Sequence, residues 1–373
     1  MLRGFTIGVT ADRRWDEQAA LFTRRGASIQ HGPSIRTLPL GDDERLRTAT
    51  DAVIARRPTF LIANTGLGIR SWFSSAELWG KGDGLADALG AARIFARGPK
   101  AAGAAQTHGL DVEDRASTER LSDAVTLALA ALQPGDVVAL QLDGRGSSDE
   151  AARLRAAGAD VLEIPVYEWE LPEDLGPSAR LAEAVIAGKV HAVTFTAGPA
   201  IRNWLAIADD SGIGASLRAA LTDGSVVVGC VGPVCADTAA AEGLGSEHLV
   251  VPRTWRLGPL VRAVAERLIE RTVRLDIGGT QLSIAGNLVT IGEEPVLFTD
   301  TEAQLLTLFA ARPNVVHAKA DLLRAVWRDE DADPHVVEVA VGRLRRRMGA
   351  LGGTITSVYR RGYVLKTEEL VGR

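Results

Sequence analysis

Two thirteen-residue stretches of the chain share one pattern. GPKAAGAAQTHGL occupies positions 98–110 and GPVCADTAAAEGL occupies positions 232–244, so both open on Gly-Pro and close on Gly-Leu at identical spacing. Upstream, a second pair of segments repeats at nearly the same offset and shares three identities: Ile69, Arg70 and Trp72 against Ile201, Arg202 and Trp204. Two blocks that repeat in the same order indicate an internal duplication. Residues 1 to about 265 are therefore predicted to form two related halves.

Short β-branched runs alternate with Ala-rich stretches of helical period in both halves, which is typical of parallel sheets flanked by helices. The segments 33–40 and 161–172 are instead extended and punctuated by proline. They predict linkers through which the chain leaves one half and returns to it. The fold class expected is α/β with a discontinuous topology, divided as follows: half A from 1–36 plus 170–265, half B from 41–163, and linkers near 37–40 and 164–169.

The composition excludes several classes of protein. The net charge of −5 over 373 residues argues against a globally basic nucleic-acid binder. No apolar run reaches the length of a membrane span and no signal peptide is apparent, so a cytoplasmic protein without membrane contact is expected. The two cysteines, Cys230 and Cys235, have no histidine pair nearby, so no disulfide framework or metal site is predicted. No dinucleotide fingerprint or P-loop is present, and no cofactor is expected.

Residues 274–367 follow a different pattern. A run of short strands with glycine turns, LDIGGTQLSIAGNLVTIG, precedes three helical stretches, of which the first begins with a Thr/Asp cap followed by Glu302. The segment ends in GGTITSVYRRGYVLKT, an extended pair around an Arg-Arg turn. A small sheet, three helices and a C-terminal hairpin predict a winged-helix domain.

The third of these helices, 334–349, is amphipathic. Its apolar residues recur at helical spacing and predict one buried stripe: Val337, Val341, Leu344 and Met348. The opposite face carries arginines, whose planar fork suits guanine edges, and Val339, which suits a thymine methyl group. The hairpin tip Arg360–Arg361 suits phosphate or the minor groove. A solvated arginine-rich face is the alternative, but the position on a third helix before a basic wing favours DNA binding.

Four spaced segments, FTDTEAQLLTLF, VVHAKADLLRAVW, VVEVAVGRLRRRM and ITSVYRRGYVL, make residues 274–367 similar to the DNA-binding domain of OmpR/PhoB-type response regulators. The resemblance implies double-stranded promoter DNA as partner, two protomers on tandem half-sites, base contact by Arg343 and backbone contact by Arg345 and its neighbours. The candidate DNA-binding residues are His335, Val336, Val339, Ala340, Arg343, Arg345, Arg346, Arg347, Ser357, Tyr359, Arg360 and Arg361.

Some positions depart from that family. His335 and Ala340 replace its usual polar or basic recognition residues, and Tyr359 stands where its wing usually has arginine. The operator sequence is therefore not carried over. The preceding residues have the wrong length and pattern for a receiver domain with a phosphoacceptor aspartate, so an input other than aspartyl phosphorylation is expected.

Residues 1–265 resemble uroporphyrinogen-III synthase, a family of two related α/β halves that cyclises hydroxymethylbilane. The matching segments are GVTADR, NTGLGI, FARGPKAAGAA, PVYEWELP, FTAGPAI, VGPVCADTAAAEGL and VVPRTWRLGPLV. A polycarboxylate substrate needs backbone amides and hydroxyls at helix N-termini. The resemblance therefore implies ligand-binding turns at Thr65, Gly66, Gly98, Pro99, Ala101, Thr196, Ala197, Gly198, Gly232, Pro233 and Cys235.

Four positions at these turns lack a hydroxyl that the synthase family usually has. The family's Thr-Ser turns correspond here to Thr65-Gly66 and Thr196-Ala197, and its threonine after Gly-Pro corresponds to Ala101 and Cys235. The backbone cradle is expected to persist while side-chain donors are lost.

Tyr167, in the segment PVYEW, matches a tyrosine that the family places near the leaving hydroxyl of the substrate. It is the one catalytic candidate, and an aromatic side chain that anchors a linker strand is the alternative. His31, His108 and His191 show no spacing that would bring them together, and no Ser-His-Asp set or paired-carboxylate motif is present.

These features predict a one-component transcription regulator with a degenerate synthase-like module. The fusion resembles actinobacterial regulators of nitrate and nitrite assimilation, and assimilatory nitrite reductase uses sirohaem, which is made from uroporphyrinogen III. The resemblance implies a tetrapyrrole or other small anionic effector. A bifunctional protein that makes uroporphyrinogen III and binds DNA is one alternative, and a module that only dimerises or docks another regulator is a second.

Overall fold

The computed structural model describes residues 1–144, 149–245, 248–328 and 333–367. The chain divides into two compact units, Met1–Ile35 with Leu171–Arg373, and Arg36–Glu170. The first unit contains half A and the winged-helix domain, and the second contains half B. Both crossings between the units fall in the segments that the sequence marks as extended.

Half A is built on a five-stranded parallel sheet. Its strands are β1 (Thr6–Val9), β2 (Ser28–His31), β10 (Ala192–Phe195), β11 (Val227–Cys230) and β12 (Leu249–Val250). Its helices are α1 (Trp15–Thr23), α8 (Gly176–Ile186), α9 (Gly198–Asp210), α10 (Gly214–Thr222), α11 (Pro233–Ala241) and α12 (Leu257–Glu270). The strand order is β12-β11-β10-β1-β2, so β10 and β1, one from each of the two chain segments of the half, pair at the centre of the sheet.

Half B has a second five-stranded parallel sheet. Its strands are β4 (Phe60–Ala63), β5 (Arg93–Ala96), β6 (Val112–Arg115), β7 (Val137–Gln141) and β8 (Asp160–Ile164). Its helices are α2 (Glu44–Arg56), α3 (Gly66–Leu78), α4 (Gly82–Gly90), α5 (Pro99–Thr107), α6 (Leu121–Leu129) and α7 (Asp149–Ala156). The order β6-β5-β4-β7-β8 matches that of half A when β4 is set against β10 and β7 against β1. The duplication is therefore also visible in the topology.

A two-stranded antiparallel ribbon begins and ends the second unit. It consists of β3 (Arg36–Pro39) and β9 (Tyr167–Glu170), with Arg36 opposite Glu170 and Pro39 opposite Tyr167. The segments predicted as linkers thus pair with each other, and their proline-punctuated, extended sequences suit a two-stranded ribbon.

One tryptophan in each half is fully buried, at equivalent positions of the repeat. The indole N–H of Trp72 on α3 donates to Thr50 Oγ1 at 2.9 Å, and that of Trp204 on α9 donates to the carbonyl oxygen of Ser178 at 3.0 Å. Thr50 lies on α2 and Ser178 on α8, so each indole joins the corresponding pair of helices. The identical residues of the sequence repeat therefore include Trp72 and Trp204, which make equivalent contacts in the two cores.

The winged-helix domain begins with a four-stranded antiparallel sheet, followed by helices and a hairpin. Its strands are β13 (Val273–Ile277), β14 (Thr280–Ala285), β15 (Leu288–Ile291), β16 (Glu294–Leu297), β17 (Ile355–Val358) and β18 (Gly362–Leu365). Its helices are α13 (Asp300–Ala311), α14 (Lys319–Leu322), which continues as a π-helical turn at Leu323–Trp327, and α15 (His335–Arg347). The predicted cap of α13 is confirmed, because Thr299 and Glu302 form a reciprocal capping box.

The helices that follow neighbouring strands approach each other closely at one glycine in each half. A Cβ on Gly66 at the start of α3 would lie 2.2 Å from the carbonyl oxygen of Lys100 on α5. A Cβ on Gly198 at the start of α9 would lie 2.4 Å from Thr238 Oγ1 on α11. Only glycine permits this separation, which in half B places the N-termini of α3 and α5 side by side.

Gly66→Ala is expected to lower the stability of the chain by about 1–3 kcal/mol, because the added methyl group forces α3 away from α5. Gly103→Ala on α5 is the control, since a Cβ there meets nothing within 4 Å. That control is expected to raise stability by about 0.5–1 kcal/mol through helix propensity. The measurement is the urea midpoint followed by circular dichroism, and equal midpoints for the two variants would contradict the close approach.

Candidate nucleic-acid interface and ligand-binding edges

The third helix of the winged domain separates into a buried and an exposed face. The predicted stripe is confirmed, because Val337, Val341, Leu344 and Met348 are all at most 1% exposed. Arg343 and Arg346 lie on the exposed face, and neither side chain has a hydrogen bond or ion pair within the described residues. Val339 is 40% exposed on the same helix. These three side chains are available to a DNA groove.

The structure corrects the assignment of Ala340 to the DNA-binding face. Ala340 is 8% exposed and packs in the hydrophobic core of the winged domain. Val336 also packs partly against this core. Because α15 turns by about 100° per residue, a position three after Val337 remains on its buried side.

Arg345 joins α15 to the hairpin. Its Nε donates to the carbonyl oxygen of Ile355 at 2.8 Å and its Nη2 donates to Ser357 Oγ at 3.0 Å, while the guanidinium lies over the ring of Tyr363. Arg347 forms an ion pair with Glu302 of α13, with 3.6 Å between Arg347 Nε and Glu302 Oε2. The basic run at 343–347 therefore divides into two arginines that hold the domain together and two that face outward.

Sequence reasoning missed the ion pair that fixes the start of α15. Lys319 on α14 donates to Glu338 at 2.5 Å, and His335 lies 3.2 Å from the other carboxylate oxygen. The hydrogen bond from Lys319, followed by that from His335, lowers the pKa of Glu338 below its usual value. Charged residues at positions 319 and 338 were the available signal, but their proximity depends on how the two helices pack.

The hairpin presents an exposed basic tip. Tyr359 is 81% exposed and its ring lies 5.1 Å from the guanidinium carbon of Arg360. Arg361 is also exposed, and Gly362 follows at a φ of +130°, where a Cβ would lie 2.0 Å from the carbonyl oxygen of His317. The backbone at Gly362 thus packs directly against that of His317, where only glycine fits. The arginines of the tip are exposed.

The turns of half B that were predicted to bind a ligand lie at the carboxyl edge of its sheet. Thr65 is the N-cap of α3, and its hydroxyl accepts hydrogen bonds from Gly68 N and from Gln141 Nε2, each at 3.0 Å. Gln141 Oε1 in turn accepts from the backbone amides of Asn64 and Thr65. Asn64 Nδ2 is buried and lacks a partner among the described residues. This edge satisfies most of its own donors.

The structure shifts the alignment of the two turns by one residue. Ala197 is the N-cap of α9 in half A, so it corresponds to Thr65, while Thr196 corresponds to Asn64 and Gly198 to Gly66. The expected pairing of Thr65-Gly66 with Thr196-Ala197 is therefore wrong by one position. Half B retains its cap hydroxyl, whereas α9 begins without a side-chain cap.

The two Gly-Pro turns start helices in the same way. Gly98 and Gly232 are the N-caps of α5 and α11, with Pro99 and Pro233 at the first helical position and no side-chain cap at either. Neither Gly-Pro turn therefore offers an N-cap side-chain acceptor to the first amides of its helix.

The two positions that replace the family's threonine after Gly-Pro are buried. Ala101 is 2% and Cys235 is 3% exposed, and Cys235 Sγ lies 3.7 Å from the carbonyl oxygen of Phe195. A hydrogen bond with Cys230, together with burial, raises the pKa of Cys235 well above its usual value. These two substitutions therefore change packing beneath the turns and remove no donor from the surface.

Tyr167 is 5% exposed and packs in the core of half B, with Trp169 beside it. This burial agrees with the anchoring role left open by the sequence. The three histidines considered in the sequence each contact an aromatic ring: His31 stacks on Trp15 and His108 on Phe73, each at 4.1 Å, and His191 meets Phe5 edge-on. No catalytic set is assembled from these residues.

Within the described ranges, no group of three or more His, Cys, Asp or Glu side chains is placed to hold a metal ion. None of the described helices has both the length and the apolar character needed to cross a membrane.

The fold and its arginine-bearing face define a two-halved α/β module fused to a DNA-binding winged helix. The uroporphyrinogen-III synthase (HemD) family matches residues 16–262, so the chain belongs to that family. A mutant uroporphyrinogen III synthase from the extremely thermophilic bacterium Thermus thermophilus is similar at 27% identity and a TM-score of 0.58, covering 72% of this chain and all of its own. The Bacillus subtilis (strain 168) protein YjjA is 26% identical over 278 residues, which are 72% of this chain and 98% of YjjA.

The C-terminal part matches a second family. Residues 292–365 match the C-terminal domain of transcriptional regulatory proteins. The response regulator ArlR of Staphylococcus haemolyticus (strain JCSC1435) is 34% identical over 109 residues, and the chain spans about half the length of ArlR. The predicted OmpR-type winged helix is thereby confirmed as a domain that binds double-stranded DNA in transcription regulation.

Arg343→Ala is expected to weaken binding to the specific operator by about 1–3 kcal/mol and to relax selectivity at one base pair, because a bidentate base contact is lost. Arg274→Ala is the control, since it removes the same charge from an exposed position on β13. Binding isotherms on an operator recovered by in vitro selection, and on its single-base variants, measure both effects. If every sequence were weakened equally, Arg343 would be a phosphate contact.

Proposed function

We propose that this protein is a one-component transcription regulator whose synthase-like module binds a tetrapyrrole or another small polyanion instead of transforming it. The winged helix supplies the DNA contact through Arg343, Arg346 and the hairpin tip. The genes we propose as its targets are those of nitrate and nitrite assimilation, because their nitrite reductase depends on a cofactor made from uroporphyrinogen III.

The observation that carries the effector proposal is the difference between the two sheet edges. In half B, Gln141 and Thr65 accept hydrogen bonds from the amides around the start of α3. In half A, the register of the sheets sets Thr10 against Gln141, and the hydroxyl of Thr10 donates to Thr194 O. The N-cap of α9 is Ala197, which has no side-chain acceptor.

The half A edge therefore presents helix N-termini whose amides receive no hydrogen bond acceptor from an N-cap side chain. Both α9 and α11 begin there without a side-chain cap. Unpaired amides and the positive end of the helix dipole favour a carboxylate or another anion. A polycarboxylate such as a uroporphyrin supplies several such groups, so we assign its anchoring carboxylate to this edge.

Uroporphyrin III is expected to raise the thermal midpoint of the wild-type chain and of Ala197→Ser, and to leave that of Ala197→Asp unchanged. Serine at the N-cap supplies a neutral acceptor, whereas the aspartate fills the edge with its own negative charge and repels the ligand. Differential scanning fluorimetry with and without the porphyrin gives the shifts. A shift of the thermal midpoint in Ala197→Asp as large as that in the wild type would show that the porphyrin binds elsewhere.

Retained synthase activity is the second candidate, and a specific observation favours it. Two of the four hydroxyl substitutions, at Ala101 and Cys235, are buried, so they remove no surface donor. Against it, Tyr167 is buried in the core of half B. Only two of the four positions therefore support a loss of catalysis. They are the N-cap of α9, which lacks a hydroxyl, and Gly66, which is required for the close packing of α3 against α5.

A coupled assay that feeds hydroxymethylbilane separates these two functions. We expect the product to be the spontaneous type I isomer, at the same rate with and without the protein, because Tyr167, the one catalytic candidate, is buried in the core of half B. Chromatography of the oxidised porphyrins identifies the isomer. Rapid accumulation of type III would show that the protein is bifunctional, and the DNA-binding measurements would be unaffected by that result.

A further inference from the structure

A pair of glycines joins the winged-helix domain to half A. Gly4, just before β1, has a φ of +90°, and a Cβ there would lie 2.4 Å from both Ala285 O and Leu288 N. Gly286, in the turn between β14 and β15, has a φ of +57°, and a Cβ there would lie 2.4 Å from the carbonyl oxygen of Gly4. The amide of Asn287 donates to that same carbonyl at 2.8 Å. The two backbones thus meet with no room for a side chain.

Further polar contacts surround this pair. Gln304 Nε2 on α13 donates to the carbonyl oxygens of Ala187 and Gly188, each at 3.1 Å, at the end of α8. Arg328 Nη2 lies 3.3 Å from Asp223 Oδ2 beyond α10. These contacts come from three separate parts of the winged domain, so they restrict its rotation as well as its position.

The connection between the two domains is short. Only Arg271 and Thr272 separate the end of α12 from the start of β13. Two residues span at most about 7 Å, so the winged domain remains near this edge whether it is docked or not. Docking therefore costs little translational entropy.

His191 lies at the centre of the contact, directly before β10. Its Nδ1 accepts a hydrogen bond from the amide of Thr6 at 3.0 Å, and the ring of Phe5 packs against it edge-on. Its Nε2 lies 3.0 Å from where a Cβ on Gly286 would be, so the turn covers it. The charged group facing it is Asp300 of α13, whose carboxylate also accepts from Asn287 Nδ2 at 2.5 Å.

This geometry requires a neutral imidazole. A backbone amide can only donate, and protonated histidine has no acceptor, so protonation breaks the hydrogen bond from Thr6. Thr6 and His191 both belong to half A, and the disturbance reaches the winged domain because the turn of Gly286 covers the imidazole Nε2. Burial lowers the pKa of His191 below its ordinary value, and the charge of Asp300 opposes this only in part. The docked form is therefore stabilised above the ordinary histidine pKa of about 6.5 and loses stability as the pH falls below it.

We infer that the turn of Gly286 and Asn287, together with Gln304, docks the winged helix on the amino edge of the half A sheet, and that protonation of His191 releases it. The protein thus carries an acid-sensitive joint between its DNA-binding domain and its synthase-like module. Arg343 and Arg346 stay exposed in the docked form, so docking orients the DNA-binding face without covering it.

Hydrogen exchange of the full chain tests the docking. The amide of Asn287 is protected by an acceptor in the other domain, so its exchange rate reports the docked fraction. Gly286→Ala is expected to accelerate this exchange about tenfold, and Gln304→Ala about fivefold, as hydrogen bonds across the contact are lost. Gly292→Ala is the matched control, because Gly292 lies in the next turn at a φ of +61° with open space around its Cβ. Equal rates in Gly286→Ala and Gly292→Ala, with unchanged rates in Gln304→Ala, would overturn the docking.

The role of His191 is tested by the pH profile of the same rate, corrected for intrinsic exchange. In the wild type we expect protection of Asn287 to fall about threefold or more between about pH 7.5 and about pH 5.5, across the ordinary titration range of histidine. His191→Asn keeps an acceptor for the Thr6 amide but does not titrate there, so its profile is expected to be flat. A wild-type profile that is flat, or one that survives in His191→Asn, would overturn the switch.

Discussion

The packing of a helix start against a neighbouring helix at the carboxyl edge of each sheet, at Gly66 and at Gly198, is the constraint on which the proposed ligand-binding edges depend. Helix ends with unpaired amides and partial positive charge are brought together, and they need acceptors. Half B supplies them from within, through Gln141 and Thr65. Half A has Thr10 and Ala197 at the equivalent positions, and the Thr10 hydroxyl donates instead of accepting. The duplication has therefore produced two edges of the same geometry and different electrostatics.

The architecture could be predicted from the sequence because the internal repeat and the hydrophobic periodicity indicate the strands and helices directly. These signals do not depend on the details of packing. Trp72 and Trp204, for example, match in the repeat and are both fully buried. The cap register was not predictable in the same way. TFTAGP has a threonine, Thr196, one residue before the N-cap of α9, and the backbone conformation makes Ala197 the N-cap.

The basic run on α15 shows a similar limit. Four arginines within five residues read as one charged surface, yet a helix distributes them around about 400° of rotation. Arg345 and Arg347 turn back onto the hairpin and onto Glu302, while Arg343 and Arg346 face outward. The buried Ala340 follows from the same rotation. Composition indicated the DNA-binding helix, but the side of the helix each residue occupies depends on the core of the domain.

The amino and carboxyl edges of half A are joined by its central strand. β10 has His191 before its first residue and Thr196, followed by the cap Ala197, after its last, so about 20 Å of extended chain separates His191 from the N-cap of α9. β10 also pairs with β1, whose Thr6 amide binds His191 and whose end leads to Thr10. β10 is therefore the strand that connects the proposed switch at His191 with the proposed anion-binding N-terminus of α9.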